Sequence, residues 1–385
     1  MNTEYIAENL RRIRGARAGL SQGAVAGKAG LSLRAYQDIE SGKAEPRVAN
    51  LDAIARALGV PIRMLLEPVR ELRDVRFRSN KKMKTRRQIL ADVARWLDDY
   101  NGMEALLGER RPFVLRGVAE DGLTGAERAR AAAQRARRSL GLTADEPVRD
   151  ICGILDFAGV KVFPIVVQSD GFFGLSVGAE GGGPAVVVNT WDRITVERWI
   201  FSAAHELGHL LLHLDDYGLD DEEENSVHEA EADAFAAEFL MPDEVFQREW
   251  DEARGLPLYA RVLKVKRIFR VSYATVLKRV EPTYEGWAKN IWAQFYTEHK
   301  QHTGKSLVKN AEPEGLGTEV FYRAASSSKS GQEPDSLSSW DFQEDRLASL
   351  VRRAVDEGEI SLGRGAEVLG KSLTEMRALA TSWCG

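Results

Sequence analysis

His205, Glu206 and His209 lie within "SAAHELGHLLLH" (Ser202 to His213), a stretch holding three of the chain's six histidines. Imidazoles four residues apart project from one face of an α-helix, about one turn from each other. That spacing lets His205 and His209 share a tetrahedral zinc ion, which needs a third protein ligand and an open position to be catalytic. Glu206 is too close in sequence to be a convenient third ligand, but it is well placed as the general base of a hydrolysis. The segment "HEAEADAFAAEFLMP" (His228 to Pro242) offers the third ligand. Glu229 and Asp233 share a face of that helix, so Glu229 could coordinate zinc while Asp233 accepts a hydrogen bond from a liganding imidazole. Glu231, roughly 200° around the helix from Glu229, cannot point at the same ion. His228 is the alternative ligand, and His213 is expected to pack beside or orient the ligands. The surrounding "WIFSAAHELGHLLLH" is apolar, and burying these polar groups there without a metal would be costly.

The elements that position these residues must come from a long chain. At 385 residues it exceeds one ordinary domain, and 44% hydrophobic with 29% charged residues is the balance of a folded, water-soluble protein. The net charge of -5 conceals two opposite stretches. Arg70 to Arg87 carries nine Lys/Arg against two acids, and Asp215 to Asp233 carries ten Asp/Glu and no Lys/Arg. Two distant cysteines, Cys152 and Cys384, exclude a disulfide framework and a cysteine-based zinc site. No signal-peptide core opens the sequence, and no apolar run approaches the roughly 20 residues that span a bilayer. The chain reads as cytoplasmic, with no membrane partner.

Apolar periodicity and turn residues divide the chain into a multidomain arrangement. Residues 1–66 read as a small all-α domain, with Gly19, Gly30, Gly42 and Gly59 near helix ends and Ser21 and Ser32 as N-caps. Residues 67–147 read as a basic helical connector whose clearest helix follows Thr124. Residues 148–309 read as an α+β domain: a helix in "DICGILDFAGV", strands in "KVFPIVVQ", "GFFGLSV" and "GPAVVVN", then the two helices of the candidate site. Residues 310–339, rich in Ser, read as a flexible linker, and 340–385 as a small helical C-terminal module.

"FSAAHELGHLLLH" followed by "EAEADAFAAEFLMP", with "DGFFGLSV", "PAVVVNTWD" and "ERWIFS" upstream, resembles the ImmA/IrrE family of bacterial zinc metallopeptidases over about residues 148–280. The resemblance implies a zincin-like fold, with His205, His209 and Glu229 as zinc ligands and Glu206 as catalytic base. It also implies a protein substrate, since members act on helix-turn-helix repressors in stress responses or mobile elements. Asn189 matches a recurrent family Asn and is also a natural strand-end turn residue. The strand before the site could pair with an extended substrate. Tyr217 and His228 are the candidates for a transition-state donor.

Leu20 to Leu66, "LSQGAVAGKAGLSLRAYQDIESGKAEPRVANLDAIARALGVPIRMLL", resembles the XRE/lambdoid-repressor helix-turn-helix family. The second helix of such a pair starts at Ser32 and enters the major groove, so Leu33, Arg34 and Asp38 would face base edges of a double-stranded operator. Arg34 could read a guanine bidentately, and Leu33 could meet a thymine methyl. Ser21 and Gln22 would contact phosphate from the preceding helix. Gly23 and Gly27 lie inside that helix, each costing about 1 kcal/mol relative to Ala. The basic stretch could add phosphate contacts, and modules of this type bind paired half-sites as homodimers.

Together these readings describe a DNA-binding regulator fused to a zinc endopeptidase that cleaves itself or a related repressor. The competing readings are a transcription factor whose HExxH domain is a non-proteolytic metal sensor, and a toxin–antitoxin or phage-related protein that acts by binding a partner. The acidic loop Asp215 to Glu224 could attract the basic connector as substrate or pseudosubstrate. "EISLGRGAEVLGKS" near the C-terminus forms a second helix-turn-helix-like pair without a basic surface, suited to docking or oligomerisation.

Overall fold

The computed structural model describes residues 2–15, 20–68, 72, 74–77, 85–119, 122–143, 145–214, 217, 225–283, 288–308, 311–313, 315–316 and 333–383. In chain order the elements are α1 (Thr3–Gly15), α2 (Gln22–Lys28), α3 (Leu33–Glu40), α4 (Val48–Leu58), α5 (Arg63–Leu66), β1 (Val75–Phe77) and α6 (Arg86–Leu107). There follow α7 (Gly125–Ser139), α8 (Ile151–Phe157), β2 (Lys161–Ile165), β3 (Gly174–Val177), β4 (Ala185–Asn189), α9 (Val196–Leu212) and α10 (Ser226–Leu240). The last are α11 (Asp243–Glu252), α12 (Leu258–Phe269), α13 (Tyr273–Val280), α14 (Ala288–Thr303), α15 (Arg346–Asp356), α16 (Leu362–Val368) and α17 (Leu373–Ser382). Two compact units result: Met1–Leu72 with Lys81–Arg110 and Leu347–Gly385, and Arg73–Asn80 with Arg111–Arg346.

Among its described residues the first unit's regular elements are all helices. Ile6, Leu10, Val25, Tyr36, Leu51, Ile54 and Leu58, at helical spacing on α1 to α4, make its core. Ser21 and Ser32 cap α2 and α3 by accepting from the Ala24 and Ala35 amides, at 3.1 and 3.2 Å. Between them Gly30 takes φ +67°, a conformation that a side chain would resist. Glu40 is buried, but it accepts from Arg14 Nε at 2.6 Å and from the Tyr36 hydroxyl at 3.2 Å, so its charge is compensated. The C-terminal helices belong to this unit. Asp99 of α6 accepts from Arg63 at 3.2 Å and from Arg364 of α16, while Arg63 also pairs with Glu367 at 3.4 Å.

The second unit is built on a four-stranded sheet of order β1-β3-β4-β2. β2 runs parallel to β4, and β3 pairs antiparallel with β4 as a hairpin. Every residue of β3 and β4 is buried, which explains the near-continuous apolar run "AVVVN". α9 packs on β3 and β4, and α10 packs on α9 and α7. Ala129, Ala132, Ala133 and Ala136 line the fully buried stripe of α7.

Two expectations change. The region read as a helical connector contains α6 and α7, but Val75–Phe77 is a strand, paired antiparallel with β3. Its three residues alternate, Val75 buried and Phe77 stacked on Phe172 at 5.1 Å, and a period of two is too short to see in a basic sequence. The range read as a flexible linker is held at both ends. Glu312 pairs with Lys266 at 3.0 Å and Asp335 with Arg267 at 3.0 Å, and just beyond the range Phe342 packs against Trp199 at 6.0 Å. Residues 317–332 of that range lie outside the described residues, as do Asp215, Asp216 and residues 218–224 of the acidic loop. Among the described residues no helix is long and apolar enough to cross a membrane.

Candidate metal centre

α9 is buried along nearly its whole length, and α10 comes close to it at Gly208. A Cβ at Gly208 would stand 3.1 Å from Phe235 Cδ1 and 3.3 Å from Ala232 Cα. A side chain in the middle of the HELGH motif would crowd Phe235 and the α10 backbone at Ala232, so glycine suits this close crossing. Asn225 then starts α10, its Oδ1 accepting from the Val227 amide at 3.1 Å, and Glu229 falls in the first turn. The result is a convergence of three donors. His205 Nε2 and His209 Nε2 are 2.9 Å apart, Glu229 Oε2 is 3.3 Å from the former, and Glu229 Oε1 is 3.3 Å from the latter.

The outer ring nitrogens show what the inner ones offer. An ionised carboxylate only accepts, so His205 Nδ1–H donates to Asp233 Oδ1 at 2.8 Å, and in the neutral ring Nε2 then keeps a lone pair facing inward. His213 Nε2–H donates to Glu231 Oε2 at 2.8 Å, so His213 Nδ1 accepts from His209 Nδ1–H at 2.9 Å. His209 Nε2 therefore also presents a lone pair. A cation lying among two inward lone pairs and a carboxylate would relieve their mutual repulsion, and this donor set, two imidazoles and one carboxylate, suits a divalent zinc-like ion. Burial pushes the pKa of His209 down to about 3 against the pull of Glu229, and burial does the same for His213.

Glu206 sits beneath the sheet. Its Oε2 accepts from Ser176 Oγ of β3 at 2.9 Å, and Ser176 accepts from the Tyr217 hydroxyl at 2.8 Å. Burial holds the Tyr217 phenol well above its ordinary range, with the Glu206 charge adding to the effect. Gly174 makes room for this contact, since a Cβ there would lie 3.1 Å from Glu206 Oε1 and 2.8 Å from the Val187 carbonyl.

The structure thus brings His205, His209 and Glu229 into one group, with Asp233 behind His205 and His213 behind His209. His228 is outside that group and stacks on His213 with ring centres 4.3 Å apart. Asn189 is buried and ties the strand end together, its Oδ1 accepting from Val167 N at 2.9 Å and its Nδ2 donating to Phe172 O at 2.8 Å. Sequence reasoning did not find Glu231 as the partner of His213, Ser176 as the partner of Glu206, or Arg76, whose guanidinium lies 3.4 Å from Glu229 Oε1. Glu231 had a signal in its helical offset from Glu229; Ser176 and Arg76 had none.

In the helix-turn-helix pair Leu33 is 48% exposed, Arg34 is exposed and Asp38 is half-buried on α3. Ser21 and Ser32 use their hydroxyls as caps. Gln22 is engaged within the unit, donating to Glu40 and accepting from Gln37 Nε2 at 3.1 Å. Residues 159–281 match the peptidase family model described as the IrrE N-terminal-like domain, and residues 10–65 match the Helix-turn-helix family model. The chain carries a helix-turn-helix domain followed by an IrrE-like peptidase domain. No curated protein matches the chain significantly. The IrrE-like span contains α9 and α10, and with them all three convergent donors, whereas β1 lies outside it. The helix-turn-helix match suggests DNA-binding regulation, and the IrrE-like match suggests a metallopeptidase-like domain.

Proposed function

We propose that this chain is a cytoplasmic transcriptional regulator that binds operator DNA as a homodimer and cleaves a protein substrate with a zinc-dependent endopeptidase site. The observation that carries the reading is the convergence of His205, His209 and Glu229 around inward-facing lone pairs, beside a buried glutamate in the HELGH helix. A zinc ion held by those three residues would supply Lewis acidity toward the scissile carbonyl and acidify solvent. Glu206 takes a proton from the attacking water and returns it to the leaving amine. Ser176, backed by Tyr217, orients the Glu206 carboxylate. Asp233 and the Glu231–His213 pair keep the proton on the outer nitrogens of His205 and His209. The substrate class that the family resemblance implies is a helix-turn-helix repressor, or this chain itself, in a stress or mobile-element response. On the first unit, Arg34 and Leu33 meet base edges, Asp38 lies one turn on, and Ser21, Gln22 and Ser32 lie at the helix starts that approach phosphates.

The test is hydrolysis of purified repressor-type proteins, or of the chain itself, followed by mass spectrometry with and without zinc. Glu206→Gln should keep one zinc per chain and lose the cleavage products. Cleavage by that variant at the wild-type rate would remove the catalytic reading and leave a metal-binding regulator.

A further inference from the structure

β1 is contributed from far upstream of the rest of the sheet and lies outside the IrrE-like span. It covers β3, the strand whose Ser176 touches Glu206. An uncovered β3 would present a row of backbone N–H and C=O groups, a template on which an extended peptide can add as a further strand. The chain already fills that position. Val75 stands opposite Val177, Arg76 opposite Ser176 and Phe77 opposite Leu175, in antiparallel register. Gly178 N donates to the Asp74 carbonyl at 2.8 Å, and Glu180 N donates to the Asp74 carboxylate at 3.2 Å, which pins the start of the segment.

Alternation along the strand decides what each side chain does. Val75 and Phe77 share one face, where Val75 is 2% exposed and Phe77 stacks on Phe172. Arg76 takes the other face with Ser176, toward the candidate site, and its guanidinium reaches Glu229 Oε1 at 3.4 Å with only 13% of the side chain exposed. A fixed positive charge at that distance satisfies the same carboxylate that a divalent cation would use, and raises the local potential against it.

We propose that Asp74–Phe77 is an internal clasp, filling the edge of β3 where a substrate backbone would pair and setting Arg76 on Glu229 so that the metal centre is held latent. This rests on the peptidase reading for its consequence, but not for its physical effects. Withdrawal of the clasp frees the β3 edge and the Glu229 carboxylate together. The kind of partner that fits the vacated edge is an extended segment with apolar residues flanking a basic one.

The test uses the full chain stripped of metal and titrated with zinc against a chromophoric chelator. Arg76→Gln should bind zinc about tenfold or more tightly than wild type, Phe77→Ala should shift affinity in the same direction, and Arg76→Lys should stay close to wild type. Amide hydrogen exchange of residues 174–177 should quicken by about tenfold in Phe77→Ala. Unchanged or weaker zinc binding in Arg76→Gln would mean that Arg76 supports Glu229 instead of competing for it, and would overturn the clasp. Tighter binding and faster exchange with no hydrolysis by any variant would keep the clasp and remove the peptidase. Equal hydrolysis by wild type and Arg76→Gln, with equal zinc affinity, would do the reverse.

Discussion

The helix-turn-helix surface and the metal centre are assembled in opposite ways. The first draws on a continuous stretch from Ser21 to Asp38, fixed by two serine caps and a glycine turn, and it leaves Leu33 and Arg34 at the surface. The second draws on α9, α10, β3 and a strand from far upstream, and it buries His205, Glu206 and His209 almost completely. A local surface can tolerate change in its neighbours, whereas a convergent buried site depends on every element that brings its parts together.

The sharpest way to break that contrast is Glu206→Gln. General-base catalysis accounts for about 10²–10⁴-fold in rate, so hydrolysis should fall by that factor while operator binding, followed by gel shift, is unaffected. A matching loss of DNA binding would show that the two regions are not separable.

Stability should respond to pH through the second unit. Lys266 Nζ lies 3.0 Å from both Glu197 and Glu312, and burial pushes the Glu312 carboxyl up from its usual 4.5 to about 7. Between those values the folded state holds a proton that the unfolded state has released. The contribution is therefore largest at the acid end and is lost as pH rises toward about 7, with an effect of about 1–3 kcal/mol. Urea denaturation across that window should show the decline in wild type and a flatter profile in Glu312→Gln; parallel profiles would contradict the assignment.

Gly208→Val tests the convergence directly. Overpacking against Phe235 and Ala232 should cost about 1–3 kcal/mol and weaken zinc binding, measured by chelator competition. Retained zinc affinity in a folded variant would mean that α10 need not approach so closely.

On the local surface, Arg34→Ala should weaken binding to the preferred operator by about 1–3 kcal/mol and relax one base position, read by selection from random DNA. Because Arg34 is exposed, the melting temperature should hardly move. Ser32→Ala should be the smallest effect, about 1 kcal/mol from the lost cap to Ala35 N, visible in thermal unfolding.

Legibility followed the same division. Ser21 and Ser32 could be placed as caps because a cap is a relation among four consecutive residues. The four-residue spacing of His205 with His209 and of Glu229 with Asp233 was legible because helix geometry converts spacing into direction. Arg76 was hidden inside a run of basic residues whose composition points to a solvated helix. Its role depends on an antiparallel register with Val177, Ser176 and Leu175 that no local pattern encodes. The ends of residues 310–339 were equally hidden, since Glu312 and Asp335 find their cations only where α12 presents Lys266 and Arg267.

By itself the sequence determined which helices form, which faces they turn to a core, and which side chains on one helix share a face, because those relations act within a few residues of chain. Tertiary structure alone decided that α10 comes near enough to α9 to set Glu229 on the two imidazoles, that Glu231 backs His213, and that an upstream arginine reaches the same carboxylate. The physical reason is that these are interactions at 3 Å scale between residues distant along the chain, and only packing can bring them so near.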